Sequence, residues 1–125
     1  MDKIKILLAD DEEDILSILT KKITENNFEC MGTSNGADVL KLARGFRPDL
    51  ILLDIAMADK DGYTIASELR QEKDLKVIPI IFLTGKDLKP HSIEQRVENL
   101  GAYDFLMKPC SFKDLLDKIH SALKV

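Results

Sequence analysis

Cysteine is scarce in this sequence. Cys30 and Cys110 are the only two, far apart and without metal-ligand spacing, which excludes a disulfide framework. They are read as reduced thiols of a cytoplasmic protein, with Cys110 a small packed thiol. Long apolar runs are missing too. None approaches the roughly 20 residues of a membrane helix. The start, Met1-Asp2-Lys3-Ile4, lacks the apolar stretch of a signal peptide. The expectation is a cytoplasmic location without membrane insertion. Nor is there an excess of positive charge: 18 Lys and Arg face 22 Asp and Glu, a net charge of −4. Direct nucleic-acid binding needs clustered cations and is not expected, whereas a compact acidic site would favour a divalent cation. The two histidines, His91 and His120, have no partner at ligand spacing and are expected to be solvated. Internal repeats, low-complexity segments and linkers are absent, so residues 1–125 are read as one domain.

What is present is a globular composition, 45% hydrophobic and 32% charged, in a chain long enough to bury a core. Ile4 to Ala9 is an apolar run that stops at Asp10-Asp11-Glu12, as a strand covered on both faces would. Asp14 to Asn27 repeats Ile15, Leu19 and Ile23 at helical spacing. Phe28 to Thr33 reads as a second strand, and Ser34-Asn35-Gly36 as a turn leading into a helix over 37–44, stopped by Gly45 and Pro48. Leu50 to Leu53, four apolar residues before Asp54, reads as the central strand. A third helix is expected over 63–73, a fourth strand over 77–83 and a fourth helix over 91–100, with Pro90 able to start it and Gly101 to end it. A short strand over 104–107 and a last helix capped by Ser111 complete the chain. Five strands alternating with five helices imply an α/β fold, an open parallel sheet wound on both faces. Its crevice lies at the carboxyl ends of the strands.

Those carboxyl ends carry the chemistry. The first strand is followed by Asp10 and Asp11, the third by Asp54, the fourth by Thr84 and the fifth by Lys108; the second offers only Ser34, at the margin. A lone Asp after a strand is usually a helix cap or turn residue. The five together suggest a site. Like charges about 4 Å apart repel by about 4 kcal/mol at an effective dielectric near 20, so three carboxylates call for a cation. Mg²⁺ suits a few carboxylates plus water or phosphate oxygens. Lys108 adds a second positive charge. The constellation suggests metal-assisted phosphoryl transfer with Asp54 as nucleophile.

In order and spacing, Asp10-Asp11-Glu12 after Ile-Leu-Leu-Ala, Pro-Asp-Leu-Ile-Leu-Leu-Asp54, Asp61-Gly62, Ile-Ile-Phe-Leu-Thr84, Gly101-Ala102 and Lys108-Pro109 resemble the receiver domains of two-component response regulators, single-domain chemotaxis receivers included. The resemblance covers the whole chain. It implies a flavodoxin-like (βα)5 fold, with Asp54 as phosphoacceptor. Asp11, Asp54 and the backbone carbonyl of Ala56 would bind Mg²⁺, with Asp10 acting mainly through a metal-bound water. Lys108 would pair with the phosphoryl oxygens, its bond to Pro109 cis. Thr84 and Phe105 would switch, repacking the face of the fourth helix, fifth strand and fifth helix. Phe105 reads equally as core packing, and Tyr63 as helix surface. Ala56 and Lys86 occupy positions that tune dephosphorylation. Ala58 stands where proline is usual, so the loop before Gly62 is expected to be less rigid. Residues 85–100 run slightly longer than the pattern. Gly85 would leave Thr84 room to move.

The implied partners are a histidine kinase or histidine phosphotransfer protein and a downstream output protein or fused output domain, with a homodimer through the switching face also open. The domain would be a phosphoacceptor rather than an enzyme, turning over at most by slow self-dephosphorylation. A phosphorylation-independent binding module is the alternative. A phosphatase of the haloacid-dehalogenase type would need a second Asp where Ala56 stands and room for a cap domain. A flavin site would need a loop rich in Ser, Thr and Gly at a strand end, which is lacking.

Overall fold

The computed structural model describes residues 2–85 and 88–125. Lys86, the second tuning position, lies outside them. The elements run β1 (Lys5–Ala9), α1 (Glu13–Glu25), β2 (Glu29–Thr33), a 3-10 turn (Gly36–Asp38), α2 (Val39–Phe46), β3 (Leu50–Asp54), α3 (Gly62–Arg70), β4 (Ile80–Thr84), α4 (Pro90–Leu100), β5 (Asp104–Met107) and α5 (Phe112–Leu123). All five strands are parallel, in the order β2-β1-β3-β4-β5. This is the doubly wound α/β fold expected. The chain reverses direction across the sheet between β1 and β3, and such a reversal opens a crevice at the strands' carboxyl ends.

Alternation along each strand splits the core in two. Leu7, Ala9, Ile51, Leu53, Ile80 and Phe82 face α2, α3 and α4, where Val39, Ala43, Ile65, Leu69 and Ile93 meet them. Ile6, Leu8, Leu50, Leu52, Ile81 and Leu83 face α1 and α5, against Ile23, Leu115 and Ile119. Residues 50–54 are buried throughout, which gives β3 its unbroken apolar run. Caps fix where two helices begin: Asp61 accepts from Thr64 N (3.0 Å) and Ser111 Oγ from Asp114 N (3.0 Å). Pro90 opens α4, and Gly101, at φ 65°, follows its last residue. No helix among the described residues is long and apolar enough to cross a membrane.

Several boundaries differ from the sequence expectation. The second helix does not stop at Gly45; it runs to Phe46, and Arg47 takes the left-handed conformation at φ 53°. The third helix ends at Arg70 rather than at residue 73, and β4 starts at Ile80 rather than Val77, which is 77% exposed. The cause is Arg70. Its Nε donates to Leu100 O (2.9 Å), Nη1 to Lys76 O (3.0 Å) and Ile78 O (2.9 Å), and Nη2 to Gly101 O (3.0 Å). One guanidinium thus ties the segment entering β4 to the end of α4, and residues 71–78 fold as turns around it.

Cys110 is exposed rather than packed, while Cys30 is half-buried and its thiol is pushed up to about 11 by burial. His120 is half-buried, 6.2 Å from the Phe28 ring; His91 is exposed. Tyr63 is not simply helix surface. Its ring meets Phe82 edge-on (5.4 Å) and lies under the Arg96 guanidinium (4.7 Å).

Replacing Arg70 by Met keeps the apolar stem and leaves four carbonyls without their donor. Arg70→Met is expected to cost about 2 kcal/mol. The denaturant midpoint at constant slope measures it, and an unchanged midpoint would show the clamp to be energetically idle.

Candidate functional site

Each expected side chain at the strand ends sits where the topology converges. Asp10 and Asp11 follow β1, Asp54 ends β3, Thr84 ends β4 and Lys108 follows β5. Asp10 and Thr84 are fully buried, Asp54 is 3% exposed, and Asp11 is half-buried. Carboxylate oxygens of Asp10, Asp11 and Asp54 lie within 4.8 Å of one another. Lys108 Nζ reaches in over them, 2.8 Å from Asp10 Oδ2, 3.6 Å from Asp54 Oδ2 and 3.7 Å from Glu12 Oε1. Asp10 is therefore the direct partner of Lys108 here, a contact not anticipated from the sequence. Glu12, quoted in the motif but given no role, adds a charge at the rim.

Main-chain donors hold all three carboxylates. Glu12 N donates to Asp10 Oδ1 (3.0 Å), Ala56 N to Asp54 Oδ1 (3.2 Å) and Ala58 N to Asp11 Oδ2 (3.0 Å). The last bond revises the expectation that Ala58 leaves its loop loose: the loop is fastened to the acidic site itself. Gly62 serves the site sterically. Its N–H donates to Ile55 O (2.8 Å), and a Cβ there would fall 2.5 Å from Asp54 O and 2.8 Å from Ile55 Cα. Only glycine allows α3 to start so close to the end of β3.

Burial, before anything else, raises the Asp54 carboxyl, to about 6; the Lys108 charge opposes this, and the charges of Asp10 and Asp11 add to it. Burial alone would lower the Lys108 ammonium. The hydrogen bond to Asp10 and the charges of Asp54, Asp10 and Glu12 outweigh it and hold Lys108 above its ordinary range.

The Lys108–Pro109 bond is cis, as expected. Lys108 N donates to Thr84 O (2.6 Å), joining the two residues through the backbone. The Thr84 hydroxyl donates to Gly85 O across 3.3 Å, a long bond. A Cβ at Gly85 would point into open space, so crowding by a larger side chain is not what that glycine averts in this state. Phe105 is half-buried, in register with Phe82 and packed on the α2–α4 side of the core. An apolar groove of about 450 Å³ lined by Ile15, Leu19 and Phe112 runs beside the site and shares only its rim, at Glu12 and Lys108.

Three hard oxygen donors from two neighbouring strand ends, two of them buried, suit a divalent cation such as Mg²⁺. Asp10, Asp11 and Asp54 would hold it, and Ala56, whose N–H is bonded to Asp54 Oδ1, is exposed beside them. A rigid carboxylate with an ammonium and a hydroxyl nearby matches the needs of phosphoryl transfer.

Comparison with known proteins agrees. The model of the family described as the response regulator receiver domain matches residues 6–120. The chain is 39% identical over 124 residues to the probable transcriptional regulator ycf27 of Porphyra purpurea, covering 98% of this chain and 48% of that protein. It is 33% identical over 120 residues to the alkaline phosphatase synthesis transcriptional regulatory protein PhoP of Bacillus subtilis, covering 96% and 48%. It thus spans about half the length of the curated relatives it matches. Among solved structures, the N-terminal domain of the nisin resistance regulator NsrR superposes with a TM-score of 0.84 at 30% identity, covering 98% of this chain and 99% of that one. The chemotaxis response regulator CheY4 of Vibrio cholerae reaches 0.89 at 24% identity, covering 98% and 100%, and shares the fold.

The raised Asp54 carboxyl fixes a sign. Unfolded, the group titrates near ~3.9, so between about 4 and 6 the folded state binds more protons and stability falls as pH rises. In metal-free buffer, wild type is expected to lose about 2–3 kcal/mol across that window relative to Asp54→Asn. Denaturant titrations from pH 4 to 8 give the difference, and parallel curves would refute the shift.

Proposed function

The chain belongs to the response regulator receiver domains of two-component signalling, and from that premise we propose that it is a phosphorylation-dependent switch of a phosphorelay whose phosphoacceptor is Asp54. The observation that carries this is the placement of Lys108 between Asp10 and Asp54, 2.8 and 3.6 Å away, above a three-carboxylate cluster. An Asp54 carboxylate oxygen attacks phosphorus, the bond from phosphorus to the donor's imidazole nitrogen breaks, and the imidazole leaves as a neutral ring once protonated. The donor is the phosphohistidine of a histidine kinase or histidine phosphotransfer protein. Mg²⁺, when bound, neutralises charge on the transferring group. Asp11, Asp54 and the Ala56 carbonyl would hold it, with Asp10 acting mainly through a bound water.

An aspartyl phosphate adds about −1.5 to −2 charge. The ammonium of Lys108 follows it away from Asp10. The Thr84 hydroxyl exchanges its long bond to Gly85 O for a phosphoryl oxygen. Phe105, neighbour of Phe82 across β4 and β5, takes up the space Thr84 vacates. The surface of α4, β5 and α5 repacks, and an output protein or fused output domain reads it, or a second copy pairs through it. The domain is not an enzyme beyond slow self-dephosphorylation, tuned at Ala56 and Lys86. It acts in the cytoplasm and has no direct contact with nucleic acid.

Intact mass after incubation with Mg²⁺ and acetyl phosphate tests the chemistry. One added phosphoryl mass is expected, absent in Asp54→Ala and absent without Mg²⁺. Failure of wild type to gain it from acetyl phosphate and from a panel of phosphorylated kinases would leave the phosphorylation-independent binding module as the function. Lys108→Arg keeps the charge and loses the compact ammonium; it is expected to accept phosphate while failing to shift amide exchange in α4 and β5.

A further inference from the structure

The loop from Ile55 to Asp61 is stitched to two other strand ends. Ala58 N donates to Asp11 Oδ2 (3.0 Å), beyond β1. The next residue, Asp59, grips the chain beyond β2: its Oδ1 accepts from Gly36 N (3.0 Å) and its Oδ2 from Ala37 N (2.9 Å). Those two donors, Ala37 first, hold the Asp59 carboxyl below its usual range. Gly36 is shaped for this approach, because a Cβ there would lie 2.9 Å from Lys60 O and 3.0 Å from both Asp59 Oδ1 and Ile65 Cδ1. Gly62 N on Ile55 O and the Lys60–Glu68 pair (3.0 Å) close the other end of the loop.

Asp11 is the cluster member that most needs holding. Asp10 is pinned by Lys108 and Glu12 N, and Asp54 by Ala56 N and its place in the buried strand. Asp11 is half-buried, and among the described residues Ala58 N is the one donor its carboxylate has. Repulsion from Asp10 and Asp54 pushes the Asp11 side chain outward to solvent; the Ala58 N–H pulls it back.

We propose that the main-chain N–H of Ala58, held in place by the Asp59 grip on Gly36 and Ala37, is an outer-shell positioning group for the divalent-cation site, fixing Asp11 Oδ2 so that Oδ1 is left for the ion. The inference rests on the cation reading above and adds to it a fastening to the β2–α2 turn. Groups that orient metal ligands in this way typically change affinity 10–100-fold when lost. The coupling is reciprocal: an ion that fixes Asp11 also fixes the loop and, through Asp59, the turn at Gly36.

The test is Mg²⁺ affinity by calorimetry in the intact chain, with no phosphodonor. Ala58→Pro removes the N–H and is expected to weaken Mg²⁺ binding about tenfold. Ala58→Gly keeps the N–H and is expected to stay within about twofold of wild type. Asp59→Ala changes only an exposed side chain, so it stands if the proline variant does not fold; a loss of several-fold is expected. Saturating Mg²⁺ should also slow amide exchange at Gly36 and Ala37 in wild type but not in Asp59→Ala. Wild-type affinity in both Ala58→Pro and Asp59→Ala overturns the positioning role alone. Absence of Mg²⁺ binding in wild type overturns the cation reading with it.

Discussion

Three carboxylates within 4.8 Å of one another are the constraint around which this molecule is arranged. At that separation and an effective dielectric near 20, each ionised pair repels by roughly 3–4 kcal/mol, and Lys108, 2.8 Å from Asp10 and 3.6 Å from Asp54, opposes that repulsion. The cluster persists because its members are not free to leave. Asp54 ends a strand buried on both faces, Asp10 is fully buried under Lys108, and main-chain N–H groups grip all three. The apolar sheet carries the cost of the site. What remains is a desolvated carboxylate: burial first, and the charges of Asp10 and Asp11 after it, raise Asp54 against the opposing charge of Lys108, a balance that a cation or a phosphoryl group would shift. The responsiveness proposed for the domain is that balance put to use.

The two faces of the sheet have different relations to the site. Thr84 follows Ile80 and Phe82 in the alternation of β4 and so belongs to the side covered by α2, α3 and α4. On that side Phe82 meets Tyr63, Tyr63 lies under Arg96 of α4, and Phe105 packs alongside. Arg70 joins the last turn of α4 to the entrance of β4. A change at the Thr84 hydroxyl is therefore felt first by a face whose helices are tied to each other by cations on rings and carbonyls. The α1–α5 face, where Phe28 and Phe112 pack among aliphatic side chains and Lys22 of α1 lies over the Phe112 ring, borders the site at its rim.

Much of this was legible in the sequence, for identifiable reasons. Buried parallel strands are short unbroken apolar runs, so Leu50–Leu53 and the residues after each run stood out, and with them Asp10, Asp11, Asp54, Thr84 and Lys108. The cap at Ser111 and the stop at Gly101 are local chemistry and were read correctly, whereas the cap at Asp61 was not read from the sequence. What escaped is what depends on distant partners. Val77 has strand propensity, yet the carbonyls of Lys76 and Ile78 are claimed by Arg70, so the segment turns instead. Gly45 looked like a stop, but Arg47 takes the left-handed position with its N–H on Ala43 O. Tyr63 looked like surface because nothing local announces an edge-on contact with Phe82.

Ala58 shows most plainly why a site cannot be read from its side chains alone. Residue type there suggested a looser loop, since alanine restricts the backbone less than proline does. But alanine also keeps an N–H, and this N–H lands on Asp11. The constraint missing from the residue's own torsions is supplied by a bond to the acidic cluster and, one residue on, by the Asp59 grip on the β2–α2 turn. A rigid torsion would fix the loop whatever the cluster's state. A hydrogen bond to a carboxylate of the cluster fixes the loop in a way that depends on what that carboxylate is bound to, and so makes the loop part of the site.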